Sequence, residues 1–143
     1  MSFDLKLENG NLSVGSDGKL NLVFNEEKLI QDVLKSIFTP TGTHQLHPWF
    51  GSPLQSRTVG QVDDPGFTDQ LVASGVIYAL RNLQMLQQMQ EQDGQFLTPK
   101  EQIKSIQNVS VLRDISDRRK LSVLISILTR SGDTVDEGFV INI

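Results

Sequence analysis

Two histidines and two groups of carboxylates are the side chains in this sequence whose types and spacing suggest chemistry. His44 and His47 stand in an H-x-x-H spacing. They lie in a stretch rich in proline and glycine, with no third ligand in view, and a zinc site needs three or four ligands in fixed geometry. Neither histidine is near a G-x-S-x-G elbow, so a Ser-His-Asp triad has no anchor. Glu26, Glu27 and Asp32 fall on one predicted helix, and Asp63 and Asp64 on a predicted connection. A glycosidase needs two carboxyls ~5–9.5 Å apart, one raised in pKa by apolar burial. Glu26 and Glu27 open a helix, where the dipole favours the charged form. Asp63 and Asp64 precede Pro65 and read as a turn or cap. Gly15-Ser16-Asp17-Gly18 is a turn between strands, with no helix behind it to hold a phosphate. The chain has no cysteine, which excludes disulfides, thiol nucleophiles and cysteine-ligated zinc. No catalytic residue, metal or cofactor is expected.

The composition narrows the classes further. The 143 residues are 38% hydrophobic and 21% charged, enough apolar material for one core. A net charge of -4 and the absence of a basic stripe argue against a phosphate backbone as partner. Met1-Ser2-Phe3-Asp4 shows no basic region followed by an apolar stretch, so no signal peptide is expected. No apolar run approaches the ~20 residues of a membrane span. The expectation is a soluble protein made in the cytoplasm.

The elements that position these residues follow from periodicity. Phe3, Leu5 and Leu7 alternate with polar residues, Asn9-Gly10 marks a hairpin, Leu12 and Val14 continue, and Asp17-Gly18 leads into Leu20, Leu22 and Phe24. This predicts a β meander over residues 1–24. Asn25 is the expected N-cap of a helix whose apolar stripe is Leu29, Ile30, Val33, Leu34, Ile37 and Phe38. A long connection covers residues 39–66. A second helix runs from about Phe67 to about Gln92, and its Gln- and Met-rich end reads either as a solvated terminus or as a projecting arm with Met85, Leu86 and Met89 as contacts. Thr98-Pro99-Lys100-Glu101 predicts a capping box and a short third helix ending near Ile106. Strands follow: Val109 to Arg113, then Leu121, Val123, Ile125 and Ile127 on one face, then Gly138 to Ile143. The expected fold is α+β, a single domain over 1–143. It comprises a meander (1–24), a helical part of two to three helices (25–106) and a C-terminal antiparallel sheet (107–143).

Two segments suggest docking. Arg118-Arg119-Lys120 forms a basic hairpin tip, either a solvated turn or a contact for an acidic partner. Phe139-Val140-Ile141-Asn142-Ile143 carries no charge and no proline. It is either a central strand or an open edge suited to strand addition, and the Leu121–Thr129 hairpin offers a second such edge.

The stretch from Leu29 to Leu54, LIQDVLKSIFTPTGTHQLHPWFGSPL, resembles the baseplate wedge proteins of contractile-tailed phages. These are the sheath initiators, some of which are called lysozyme-like. The family pattern is an amphipathic helix, then Leu-Thr-x-x-Gly, then Pro-x-Phe-Gly and Leu. Here Thr39, Pro40, Gly42, Pro48, Trp49, Phe50, Gly51 and Leu54 carry it. The family's Glu-Pro-Arg before the C-terminal strands is missing, and Gln95 to Val109 stands in its place. Trp49 and Phe50 either pin the loop to the core or form a docking knob. The resemblance implies a structural virion protein of the tail baseplate. It would be held to wedge proteins by its helices, would offer strand edges to the tail sheath protein, and would have tube or hub proteins as further neighbours. A baseplate-associated cell-wall hydrolase is the alternative.

Overall fold

The computed structural model describes residues 2–55 and 65–143. Four two-residue strands open the chain: β1 (Asp4–Leu5), β2 (Leu7–Glu8), β3 (Asn11–Leu12) and β4 (Leu22–Val23). β2 and β3 pair around Asn9-Gly10, whose φ values of 51° and 79° are those of a two-residue hairpin loop. The expected meander is altered in one respect. The third segment returns to the first, so that β4 pairs with β1. A ring of main-chain hydrogen bonds closes at the centre: Ser13 donates to Lys6, Lys6 to Asn21 and Asn21 to Ser13, each at 2.9 Å. Alternation dictates which side chains share a face, but not which strand pairs with which.

Helix α1 (Asn25–Phe38) buries Leu29, Val33 and Ile37 and carries Glu26 and Glu27 in its first turn. Asn25 is not the N-cap. The cap is Phe24, without a side-chain bond, while Asn25 takes a φ of 51° and its Oδ1 accepts a bond from Thr98 at 2.8 Å. Gln31 of α1 fills the break between β1 and β2. Its amide donates to Leu5 O (2.8 Å) and Asp4 Oδ2 (2.9 Å) and accepts from Leu7 N (2.9 Å).

Helix α2 (Pro65–Gln92) has 28 residues, a rod of about 42 Å. It buries Val72, Val76, Ala79, Leu80 and Leu83 against α1 and the sheet. Its Gln-rich end exposes Met85, Gln88 and residues 91–95 to solvent, yet two of its glutamines are tied to the chain's own sheet. Gln87 is buried, accepts from Ile103 N at 2.9 Å and donates to Glu101 O at 2.8 Å. Gln84 donates to Ile103 O and Lys104 O at 3.3 and 3.1 Å. A glutamine amide presents the same donor and acceptor as a peptide group, so these side chains pair with the start of the C-terminal sheet as a strand would.

The expected third helix is a single 3-10 turn (Pro99–Glu101), leaving two α-helices among the described residues. The chain is strand again from Ile103, not from 107, because the register with the next strand extends to Ile103↔Thr129. β5 (Ile103–Arg113), β6 (Lys120–Thr129) and β7 (Thr134–Asn142) form an antiparallel sheet in the order β5-β6-β7. Leu121, Val123, Ile125 and Ile127 of β6 face inward and complete one hydrophobic cluster with α1, α2, Phe50 and Leu54. β6 is paired on both sides, so Leu121–Thr129 offers no second free edge. No helix among the described residues is long and apolar enough to cross a membrane.

Candidate docking site

The loop after α1 is built from the residues of the sequence motif. Thr39 caps the helix through its N–H on Lys35 O at 3.0 Å. The chain then folds back so that Ser52 N donates to Thr39 O (2.9 Å), Thr41 N to Ser52 O (3.1 Å) and Gly42 N to Pro48 O (2.9 Å). Gly51, at a φ of 104°, sits where a Cβ would stand 2.3 Å from Thr39 O, so only glycine fits. Phe50 and Leu54 are buried in the core, while Trp49 is half-buried against it and its carbonyl accepts from Asn82 at 2.7 Å. His44 and His47 stack at 5.4 Å, and His44 Nδ1 accepts from His47 N at 3.1 Å. No group of three metal-binding side chains occurs among the described residues.

The carboxylates meet lysines rather than each other. A groove of about 610 Å³ is lined in part by Asp4, Lys28, Asp32, Lys35, His44 and Phe50. Lys28 Nζ lies 3.1 Å from Asp32 and 3.8 Å from the wholly buried Glu101, whose Oε1 has no hydrogen-bond partner. Lys35 is paired with both Asp4 and Asp32. Burial pushes the Asp4 carboxyl up, but Lys35, the Leu5 N–H and Gln31 together outweigh it and hold it below the usual carboxylate range. That is opposite to what a glycosidase acid requires. Glu26 and Glu27 are exposed at the start of α1, and the Asp63–Asp64 pair lies outside the described residues. Sequence reading missed Lys28 and Glu101. The Lys28–Asp32 spacing of i,i+4 was a visible signal, but Glu101 looked like part of a helix cap.

The structure brings the two docking segments together. β7 has β6 on one side and, among the described residues, no strand on the other. Ile143 N donates to Arg119 O at 2.9 Å, and Lys120 stands opposite Asn142. The basic tip therefore flanks the C-terminal end of β7. Asp114 fixes that tip by accepting from Ser116 Oγ (2.6 Å), Ser116 N (2.7 Å) and Asp117 N (3.2 Å), contacts that lower its carboxyl pKa. In an antiparallel ladder alternate residues turn their N–H and C=O groups the same way. With Ile143 bonded to β6, residues 141, 139 and 137 also face β6. Asp136, Gly138, Val140 and Asn142 turn theirs outward. The inner face of β7 (Val135, Phe139, Ile141) packs on the core, and Phe139 meets Phe38 edge to face at 5.6 Å. The outer face of the sheet exposes Leu112, Leu124 and Val140, each more than half or about half accessible. The sequence flagged only Val140 of these three.

No protein-family profile and no curated protein matches this chain. Among solved structures, it is similar in fold to a Geobacter sulfurreducens protein provisionally described as a tail lysozyme. The TM-score is 0.59 at 17% identity, over 82% of this chain and 90% of that one.

Proposed function

We infer that this chain is a structural protein of a phage-type contractile tail, placed in the baseplate. Its helices hold it to wedge proteins, close to tube or hub proteins, and the free edge of β7 receives an extended segment of the tail sheath protein, so that sheath assembly starts there. The observation that carries this reading is the edge of β7, on which no strand lies among the described residues. Its outward N–H and C=O groups run from Asp136 to Asn142 with no proline and no register shift, and Arg118, Arg119 and Lys120 stand at its end. Soluble proteins ordinarily blunt such an edge, and an added strand gains main-chain hydrogen bonds along it. The fold likeness to a protein described as a tail lysozyme supports the setting. The loop motif from Thr39 to Leu54 supports the narrower assignment as sheath initiator. No catalysis is part of this role.

The test is an edge-blocking substitution. Val140→Pro removes an outward N–H and sets a ring against any added strand, at a site where an edge strand tolerates proline. Val140→Thr keeps the N–H. The Thr variant should start sheath on baseplates normally and the Pro variant should not. Truncating residues 139–143 is a poorer test, because Phe139 and Ile141 pack on the core.

A cell-wall hydrolase is the second reading. Asp32 and the buried Glu101 lie on either side of Lys28, beside the groove. Peptidoglycan clearing by the purified protein that disappears in Glu101→Gln would establish it. The lysine pairing of Asp4 and Asp32 weighs against it.

A further inference from the structure

The edge of β7, unpaired among the described residues, is complementary to itself. Its outward main-chain groups belong to Asp136, Gly138, Val140 and Asn142, and these residues also place their side chains on the outer face, where all four are exposed. Gly138 places no side chain on that face. A Cβ built on it would stand 3.0 Å from Leu124 Cδ2, so the exposed Leu124 side chain leans over Gly138 and fills the space a side chain would take. Two residues on, Val140 projects, 55% accessible. The edge therefore carries two exposed apolar groups on one face, Val140 and the Leu124 side chain over Gly138.

Charge follows the same pattern. Asp136 stands near the start of β7, while Lys120 stands beside Asn142 at its end. Neither makes a salt bridge among the described residues.

We propose that two copies of this chain pair antiparallel through their β7 edges, with Gly138 of one opposite Val140 of the other, on a two-fold axis at Phe139. This register sets Val140 against the Leu124 side chain that leans over Gly138 of the second copy, and the symmetric contact does the same in reverse. It also sets Asn142 opposite Asp136 of the second copy. Lys120 then lies on the same face two strand spacings away, about 9.6 Å between backbones, within reach of that carboxylate for an extended lysine side chain. The four outward residues of each edge fall into the narrow pairs of an antiparallel ladder, giving about eight new main-chain hydrogen bonds. A shift of two residues either way sets Gly138 opposite Gly138 or Val140 opposite Val140, and no longer sets Val140 opposite the Gly138 that Leu124 covers. The result is one six-stranded sheet with an isologous interface. The contact is small beside the ~1,200–2,000 Å² of stable complexes, so the dimer forms at high concentration and yields the edge to a longer added strand. The proposal rests on this edge and its side chains, and holds whatever the partner in the assembled particle is.

The sequence lacks cysteine, which makes the register directly readable. Asp136→Cys and Asn142→Cys variants of the full chain are prepared separately, then mixed and oxidised. In the proposed register the two positions face each other across the axis at about 5.5 Å between Cα atoms, inside the disulfide range. The mixture should form a disulfide-linked heterodimer, and each variant alone should stay largely uncrosslinked, because like positions lie about six residues out of register. Sedimentation of the unmodified chain from about 1 to 500 μM should show the mass rising from 16.0 kDa toward twice that value. Val140→Pro should remain monomeric throughout. Lys120→Glu should weaken the dimer about 3- to 10-fold, as for an exposed pair present twice, and adding Asp136→Lys should restore it. An unmodified chain that stays at 16.0 kDa at every concentration overturns the proposal, as does a crosslink that forms equally well in the single variants. Either result leaves the strand-addition role untouched, since that role needs only the edge.

Discussion

Replacing Gln87 by leucine should cost more than its polar character suggests. The side chain lies among buried atoms, and its amide is the partner of Ile103 N and Glu101 O, on residues that are 1% and 0% exposed. Leucine keeps most of the volume and removes both bonds. Each buried main-chain group left without a partner costs about 1–3 kcal/mol, so the pair costs about 2–6 kcal/mol out of a typical total of ~5–15 kcal/mol. For a chain of this length about 1 kcal/mol moves the melting temperature by ~3 °C, which predicts a fall of about 6–18 °C. The assay is thermal unfolding followed by circular dichroism, with hydrogen exchange at the Ile103 amide as a local readout. Gln84→Leu is the control. Its bonds go to carbonyls at 3.1 and 3.3 Å, one of them in an exposed setting, so its shift should stay below ~3 °C. A Gln87→Leu protein that melts within 2 °C of wild type, with an unchanged Ile103 exchange rate, would refute the strand-surrogate role of α2.

Three further outcomes follow from the loop and the N-terminal module. Gly51→Ala should fail to accumulate as folded protein, because its Cβ would stand 2.3 Å from Thr39 O; a soluble variant with a normal melting curve would show that the loop can rearrange. Phe50→Ala should destabilise by about 3–5 kcal/mol as a buried aromatic, and Trp49→Ala by less, since Trp49 is only half-buried; chemical denaturation measures both, and the reverse order would contradict the packing. Asp4 has a depressed pKa in the folded state, so its contribution is fully present above its unfolded value near 3.8 and is lost as pH falls through the folded value. Stability measured from pH 6 downward should therefore fall more steeply below pH ~4 in wild type than in Asp4→Asn, and parallel curves would show that the Lys35 and Gln31 contacts do not form.

The sequence carried the helices and inner strand faces because each is written in a local period. Leu29, Val33 and Ile37 recur at helical spacing, and Leu121, Val123, Ile125 and Ile127 alternate, and all are buried. What failed depends on partners far along the chain. The Thr98–Glu101 stretch has the residue types of a helix start, yet Ile103 is drawn into strand by Thr129. Gln84 and Gln87 look like solvated polar residues, because nothing local reveals that an amide will pair with a backbone 14 to 20 residues away. The edge proposed for docking was half legible. The uncharged run from Phe139 to Ile143 showed that an edge would be open if it existed, but only the β5-β6-β7 order decides that β7 rather than β6 lies outside. The placement of Leu124 over Gly138 was not legible at all, since it arises from cross-strand register.

The strand addition proposed at β7 would leave a signature in single residues. Hydrogen exchange is followed by NMR at a concentration where the chain is monomeric, with and without the tail sheath subunit. The account predicts that exchange slows at Gly138, Val140 and Asn142, whose N–H groups face outward, and stays unchanged at Phe139 and Ile141, already bonded to β6. Protection that ignores this alternation, or that appears on α1 or the Thr39–Leu54 loop while β7 is unaffected, would contradict it.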